Sequence, residues 1–193
     1  MENEKLLKLY NECIEELKTI GINVLSEEIG SIDIKINNRS KKRYGSCRQE
    51  EPDKRYLRRV KIDRRTVIQC DKFNKHHIEI SKWVMDLNED IIKNTIIHEL
   101  IHCMPYCNNH GKQFKAYAKV INEKLGYNIS RVGNKEVDYK ASNIEYKEKR
   151  TEYKYEIICQ KCGQRVLRQR LNKYFTRKYR CGKCGGKFKV IEL

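Results

Sequence analysis

Apolar residues recur at helical spacing at the start of the chain. Leu6, Tyr10, Cys13, Leu17 and Ile20 fall three and four residues apart, which predicts an amphipathic helix over 2–20 stopped by Gly21. The period then drops to two. Residues 31–37 read SIDIKIN, the pattern of a half-buried strand, and 56–63 and 76–81 are further strand candidates. The stretch 39–55 between them is polar, carries Gly45 and Pro52, and predicts a loop. The plainest helix covers 89–104. Asn88 is a good N-cap, Glu89 and Asp90 suit the first turn, Leu87 and Ile92 are spaced as a hydrophobic staple, and Pro105 forces the end. A further helix over 111–125 places Phe114, Tyr117, Ala118, Ile121 and Leu125 on one face, with Gly126 closing it. Residues 127–150 are polar and rich in Lys and Glu, as in a linker. From 153 onward the helical period is lost. Four cysteines, clustered glycines and short aromatic-basic runs take its place. A boundary near 150 therefore separates a domain over 1–150 from a smaller one over 151–193.

Composition narrows the class. The chain has 193 residues, 39% of them hydrophobic and 35% charged, a globular balance rather than a disordered or fibrous one. No stretch approaches the roughly 20 apolar residues of a membrane span. The N-terminus lacks the apolar core of a secretory signal, so a cytoplasmic protein that does not engage a membrane is expected. Nine cysteines are present. An odd number in a reducing compartment favours metal binding over a closed disulfide set.

The chemistry concentrates on the 89–104 helix, in His98-Glu99-Leu100-Ile101-His102. Residues i and i+4 share a helix face, so both imidazoles can reach one ion, with Glu99 beside them. Neutral imidazole suits Zn²⁺, and two His leave room for a third protein ligand and a water. In such a site zinc polarises a scissile carbonyl and acidifies the water, and the glutamate carries the proton to the leaving amine. His110, opening the next helix, is the best third ligand. His76 and His77 lie in a strand pattern and read as core or surface histidines. Cys103 is rotated about 100° from His102 on the helix, which argues against a shared ion, while Cys107 stays open as a competing ligand. Cys13, Cys47 and Cys70 read as small buried residues.

A second constellation pairs Cys159-Gln160-Lys161-Cys162 with Cys181-Gly182-Lys183-Cys184. Two C-x-x-C knuckles at this separation match a closed four-thiolate zinc site, and Gly163, Gly185 and Gly186 allow the tight turns. Between the knuckles Val166, Leu167, Tyr174, Phe175 and Tyr179 alternate with Arg165, Arg168, Arg170, Lys173, Arg177, Lys178 and Arg180. Those cations are candidate phosphate contacts, and the aromatics either stack on bases or fill a small core. Charge is segregated in the same sense. The net +16 of the chain divides into +11 over 140–193, +8 over 39–65 and −3 elsewhere, so two basic regions flank the His-Glu helix in sequence and point to a polyanionic partner.

The H-E-x-x-H motif, the later His110-Gly111-x-x-Phe114, the upstream Tyr44-Gly45-Ser46-Cys47 and the C-terminal four-cysteine pattern together resemble the SprT-like metallopeptidases, the family of bacterial SprT and of the catalytic domain of eukaryotic Spartan. The resemblance implies an α+β fold. Its first part is a compact zincin-like core, with helices packed on a small sheet and the H-E-x-x-H on the central helix. A small C-terminal β zinc ribbon follows. It also implies His98, His102 and His110 as ligands of a catalytic zinc and Glu99 as the catalytic base. Cys159, Cys162, Cys181 and Cys184 would hold a structural zinc, giving two Zn²⁺ per chain. Spartan degrades proteins crosslinked to DNA, so a protein substrate and a DNA partner are the expectation. The alternative is a non-catalytic nucleic-acid-binding factor that uses the zincin core as a scaffold, for which an intact Glu99 would have no use.

Overall fold

The computed structural model describes residues 2–50, 53–62, 65–146 and 152–193. The chain divides into two compact units, Met1–Tyr146 and Lys147–Leu193. The expected boundary near 150, linker positions 147–150 and the last position of the 56–63 strand lie outside the described residues.

In the first unit, helix α1 (Glu2–Thr19) buries Leu6, Leu9, Tyr10, Cys13, Ile14 and Leu17 on one face. Gly21 follows in the left-handed region at φ 81°, where glycine meets no Cβ penalty. Strands β1 (Ser31–Asn37), β2 (Gly45–Gln49) and β5 (Lys75–Ser81) form a sheet of order β1-β5-β2. β5 runs parallel to β1 and antiparallel to β2. As the central strand it buries Ile78 and Ile80 completely. β2 falls inside the expected 39–55 loop. A strand of sequence GSCRQ shows no apolar alternation, because tertiary pairing with β5 rather than local pattern sets it. A 3₁₀ turn at Lys54–Tyr56 leads into a separate hairpin, β3 (Leu57–Ile62) and β4 (Arg65–Cys70). β4 gave no pattern in the sequence analysis.

After the short α2 (Lys82–Met85) comes α3 (Glu89–Cys103). The Asn88 side chain accepts from the Ile91 amide, and Met104 is extended ahead of Pro105, as the clash with the proline ring requires. Ile92, Ile96, Ile97, Leu100 and Ile101 are all buried. This helix is therefore apolar nearly all round, as a helix packed between a sheet and other helices must be. It meets α1, β2, β5 and α4 (Lys112–Leu125). Residues 127–146 are not a plain linker: α5 (Lys135–Ala141) begins there, with Asn134 capping the Val137 amide. Trp83 stacks on Tyr139 at 5.9 Å, meets Tyr44 edge-on at 4.7 Å and carries the Lys135 ammonium 3.8 Å above its ring, which docks α5 onto α2 and the β2 approach.

The second unit is a three-stranded antiparallel sheet of order β7-β6-β8, from β6 (Tyr155–Cys159), β7 (Arg165–Arg168) and β8 (Phe188–Glu192), with a single-turn helix α6 (Phe175–Lys178). The molecule is thus a mixed α+β protein with small sheets. Among the described residues no helix is long and apolar enough to cross a membrane.

His76 is fully buried on β5, edge-on to Phe73 at 5.0 Å. Neither ring nitrogen has a partner at hydrogen-bond geometry, the backbone of Ile29 lying alongside. Burial holds its pKa below the ordinary value. The unfolded chain therefore takes up this proton first, and the stability present above about pH 6.5 is lost as pH falls, at up to about 1.4 kcal/mol per unit. Urea unfolding of the wild type and His76→Leu at about pH 7.5, 6.5 and 5.5 isolates this contribution. The wild type is expected to lose more stability than the variant over the last step. Parallel curves would mean that the buried imidazole titrates normally.

Candidate functional site

His98 and His102 lie one turn apart on α3, and the chain returns through Pro105 to bring His110 to them. The Nε2 of His110 is 2.9 Å from that of His98 and 3.2 Å from that of His102. The turn is closed by a short hydrogen bond, 2.6 Å, between His102 Nδ1 and the Cys107 carbonyl. A carbonyl accepts only, so Nδ1 carries the proton and Nε2 is left as a lone pair facing the other two rings. The backbone of Ser130 lies alongside His98 and pulls its pKa upward, against the larger effect of burial. Phe114, 2% exposed, sits under all three rings at 4.7–4.9 Å between centroids. The motif's phenylalanine is thus the floor of the cluster.

Burial and the neighbouring rings push His98 down to about 4. Burial also lowers His102 and His110. All three shifts favour the neutral imidazole, which is the ligating form. Three imidazole lone pairs converging at this range repel one another unless a cation lies between them. Nitrogens bound to zinc at about 2.0–2.1 Å in a tetrahedral set sit about 3.3 Å apart, close to the spacing seen. The donor set therefore fits a zinc-class ion with a position to spare. Cys103 and Cys107 are fully buried and belong to neither candidate metal-binding group. Cys107 contributes its carbonyl to His102 rather than its thiol to the cluster. Of the other two histidines, His76 is core and His77 contacts Glu50 and Asp33 at the surface.

Glu99 is 5% exposed. Burial pushes its carboxyl up to about 8, against the pull of the Arg43 charge and the Cys47 amide. It lies against β2: a Cβ at position 45 would stand 2.7 Å from Glu99 Oε1 and 2.8 Å from Cγ. Gly45 is thus the one residue type that lets strand and glutamate pack. Its signal in the sequence was the Gly-Ser-Cys segment, whose physical reason appears only when β2 is laid on α3. Cys47 adds a second contact, with its Sγ 3.6 Å from that of Cys103.

A groove of about 610 Å³ opens over His98, Glu99 and His110. Residues 42–45 line one side, and 128–135 with Val137 and Asp138 line another. The second wall falls in the stretch that reads as a linker in sequence. Asp138 accepts a hydrogen bond from the Tyr44 hydroxyl, which ties the two walls together at one end.

In the second unit the four sulfurs also converge. Cys159 and Cys184 are 3.4 Å apart, Cys162 and Cys181 3.6 Å, and all four lie within 4.8 Å of one another. The Cys162 amide, with that of Lys161 adding to it, holds the Cys159 thiol below its ordinary range. A Cβ on Gly186 would meet the Cys159 sulfur at 2.9 Å, so the knuckle needs glycine there. The basic residues between the knuckles are not equivalent. Arg165 pairs with Glu156 at 3.1 Å, and Arg180 donates to the carbonyls of Thr176, Arg177 and Tyr179. Arg168, Arg170, Lys173, Arg177 and Lys178 remain exposed. Phe175 packs on Tyr179 and Phe188, whereas Tyr174 and Tyr179 are each 49% exposed.

A three-histidine group, two from a buried helix and one from the turn after it, and a four-cysteine group in the second unit define a protein with two candidate metal-binding centres, for which zinc suits the donors. Over residues 4–134 the chain matches the SprT-like family model, and it belongs to that family. It is 36% identical over 112 residues to a "Protein SprT-like" of Lactococcus lactis, covering 58% of this chain and 64% of that one. It is 30% identical over 141 residues to one of Staphylococcus aureus strain JH9, covering 65% and 84%. A third, from Lactiplantibacillus plantarum, is 28% identical over 118 residues, covering 60% and 71%. The chain thus matches just under two thirds of the length of the L. lactis protein. The family-model match includes the histidine cluster and ends before the four cysteines. No solved structure matches the chain.

The fit of Gly45 to Glu99 is testable without reference to activity. Gly45→Ala is expected to cost about 1–3 kcal/mol of unfolding free energy by overpacking. In a Glu99→Ala background the same substitution should cost about 1 kcal/mol less, because the clashing carboxylate is gone. Equal costs in both backgrounds would show that Gly45 does not make room for Glu99.

Proposed function

We propose that this protein is a zinc-dependent endopeptidase with a zincin-like core, acting in the cytoplasm on proteins bound or crosslinked to DNA. The observation that carries the reading is the convergence of three imidazole lone pairs beside a buried glutamate at the floor of an open groove. His98, His102 and His110 would hold the ion, which when bound supplies Lewis-acid polarisation of the scissile carbonyl and a more acidic water. With the ion's charge nearby offsetting the burial that raises its carboxyl, Glu99 would be ionised, take the proton from the attacking water and return it to the leaving amine. β2 is an edge strand of its sheet, and its first residue lines the groove. An extended substrate backbone would add there as a further strand, held by main-chain hydrogen bonds that demand little of its sequence.

The second unit supports the nucleic-acid part of the reading. Its exposed cations Arg168, Arg170, Lys173, Arg177 and Lys178, beside the half-exposed Tyr174 and Tyr179, suit phosphate contact and base stacking together. Arg165 and Arg180 are engaged within the unit and are assigned no such contact. Cys159, Cys162, Cys181 and Cys184 would hold the structural ion, and the donor set is closed, with four thiolates and no open position.

Two measurements test this. Cleavage of a DNA-binding protein, assayed with and without DNA, should fall by at least about 100-fold in Glu99→Gln. Undiminished cleavage by that variant would remove Glu99 from the mechanism, and no cleavage by the wild type would leave the scaffold reading. Elemental analysis should find two zinc ions per chain, falling to one when His98 and His102 are both replaced by Ala. A wild type with one ion, or a variant that keeps both, would mean that one cluster does not bind metal.

A further inference from the structure

The basic region over 39–65 is sorted by the tertiary structure into cations with partners and cations without. Arg43 pairs with Glu79 at 3.0 Å, Arg55 with Asp53 at 2.6 Å, and Arg58 with Asp71. Arg59 and Lys61, both exposed on β3, meet no carboxylate among the described residues. Strand alternation puts Leu57, Arg59 and Lys61 on one face. The pairing register sets Ile68 opposite Arg59 and Thr66 opposite Lys61. Ile68 is 63% exposed. The β3–β4 hairpin is a two-stranded sheet of its own, not joined to β1-β5-β2. Such a hairpin is marginal alone, and here its root is clamped. The Asp71 amide donates to the Tyr56 carbonyl at 3.1 Å, Asp71 pairs with Arg58, and the Tyr106 hydroxyl donates to Asp71 at 3.3 Å.

We propose that the β3–β4 hairpin is a duplex-binding arm, whose Arg59–Lys61 face contacts the phosphate backbone of double-stranded nucleic acid. Three features select that occupant. Neither strand contains an acidic residue, and between them Arg58, Arg59, Lys61 and Arg65 supply four positive charges to attract a polyanion. A two-stranded ribbon, with strands about 4.8 Å apart, enters a major groove about 12 Å wide. Neither strand contains an aromatic residue, and aromatics are what single-strand stacking and anchoring in a bilayer interface both use. The arm therefore differs from the second unit, whose exposed tyrosines suit unpaired bases. The inference rests on the nucleic-acid setting proposed above and not on the peptidase chemistry.

The test is fluorescence anisotropy of the full chain with a short labelled duplex and with one of its single strands, over a range of KCl concentrations. Arg59→Gln/Lys61→Gln should weaken duplex binding about tenfold and make the slope of log K against log salt shallower by about 2, the loss of two phosphate contacts. Single-strand binding should be unchanged. Thr66→Lys, which adds a cation to the same face, should tighten duplex binding and steepen the slope by about 1, a gain that misfolding cannot produce. Glu99→Gln should bind the duplex as the wild type does, so a failed peptidase reading leaves this result standing. Unchanged duplex affinity and slope in both arm variants would overturn the proposal. Equal losses on duplex and single strand would also overturn it. So would substitutions that abolish binding to phosphatidylglycerol vesicles but leave the duplex untouched.

Discussion

The hydrogen bond between His102 Nδ1 and the Cys107 carbonyl is the constraint on which the first unit's site depends. It does two things at once. It sets the tautomer of His102, so that Nε2 faces inward as an acceptor. It also closes the turn after Pro105, so that the chain delivers His110 to the same point instead of running on past the helix. Phe114, one turn into α4, then fills the space beneath the three rings. A cluster of three neutral imidazoles has no internal reason to assemble, since their lone pairs repel. A packed phenylalanine and a tied backbone hold it open for a cation.

Glu99 is held by a different means. Its helix is buried on nearly every side, so the glutamate cannot escape to solvent, and it sits in the gap left where β2 has no side chain. Packing thus orients the three histidines and the glutamate through separate contacts, α4 for the histidines and β2 for the glutamate, and both elements pack on α3. The second unit solves a different problem. Its sheet buries little beyond Ile157, Cys159 and Cys181, too small a core to offset the chain entropy of some forty residues without a cross-link. Four convergent thiolates supply the place for one.

Much of this was legible in the chain because the signals are local. Helices α1, α3 and α4 were marked by period, caps and Pro105, all of which act within a few residues. The histidine pair and the cysteine knuckles were marked by spacing, since i and i+4 share a helix face whatever surrounds the helix. What escaped was set by partners far along the chain. β2 lacks alternation because β5 holds it in place. β4 is a strand only as the return of its hairpin. The 128–138 wall carries polar residues because one side faces a groove, so its composition matched a linker's. The basic run over 39–65 could be counted in the sequence, yet the pairing of Arg43 and Arg58 depends on Glu79 and Asp71, contributed from outside it.

The sequence by itself therefore determined the inventory: which side chains can bind metal, which helix carries them, and that positive charge is gathered in two stretches. The tertiary structure decided the rest. It brought His110 to His98 and His102, laid Gly45 against Glu99, raised a second wall over the groove, and left Arg59 and Lys61 without a carboxylate partner among the described residues. The physical reason is range. Helix caps, periodicity and motif spacing are encoded by neighbours a few residues apart. Convergence, burial and ion pairing arise between residues tens of positions apart, and only the packed chain specifies them.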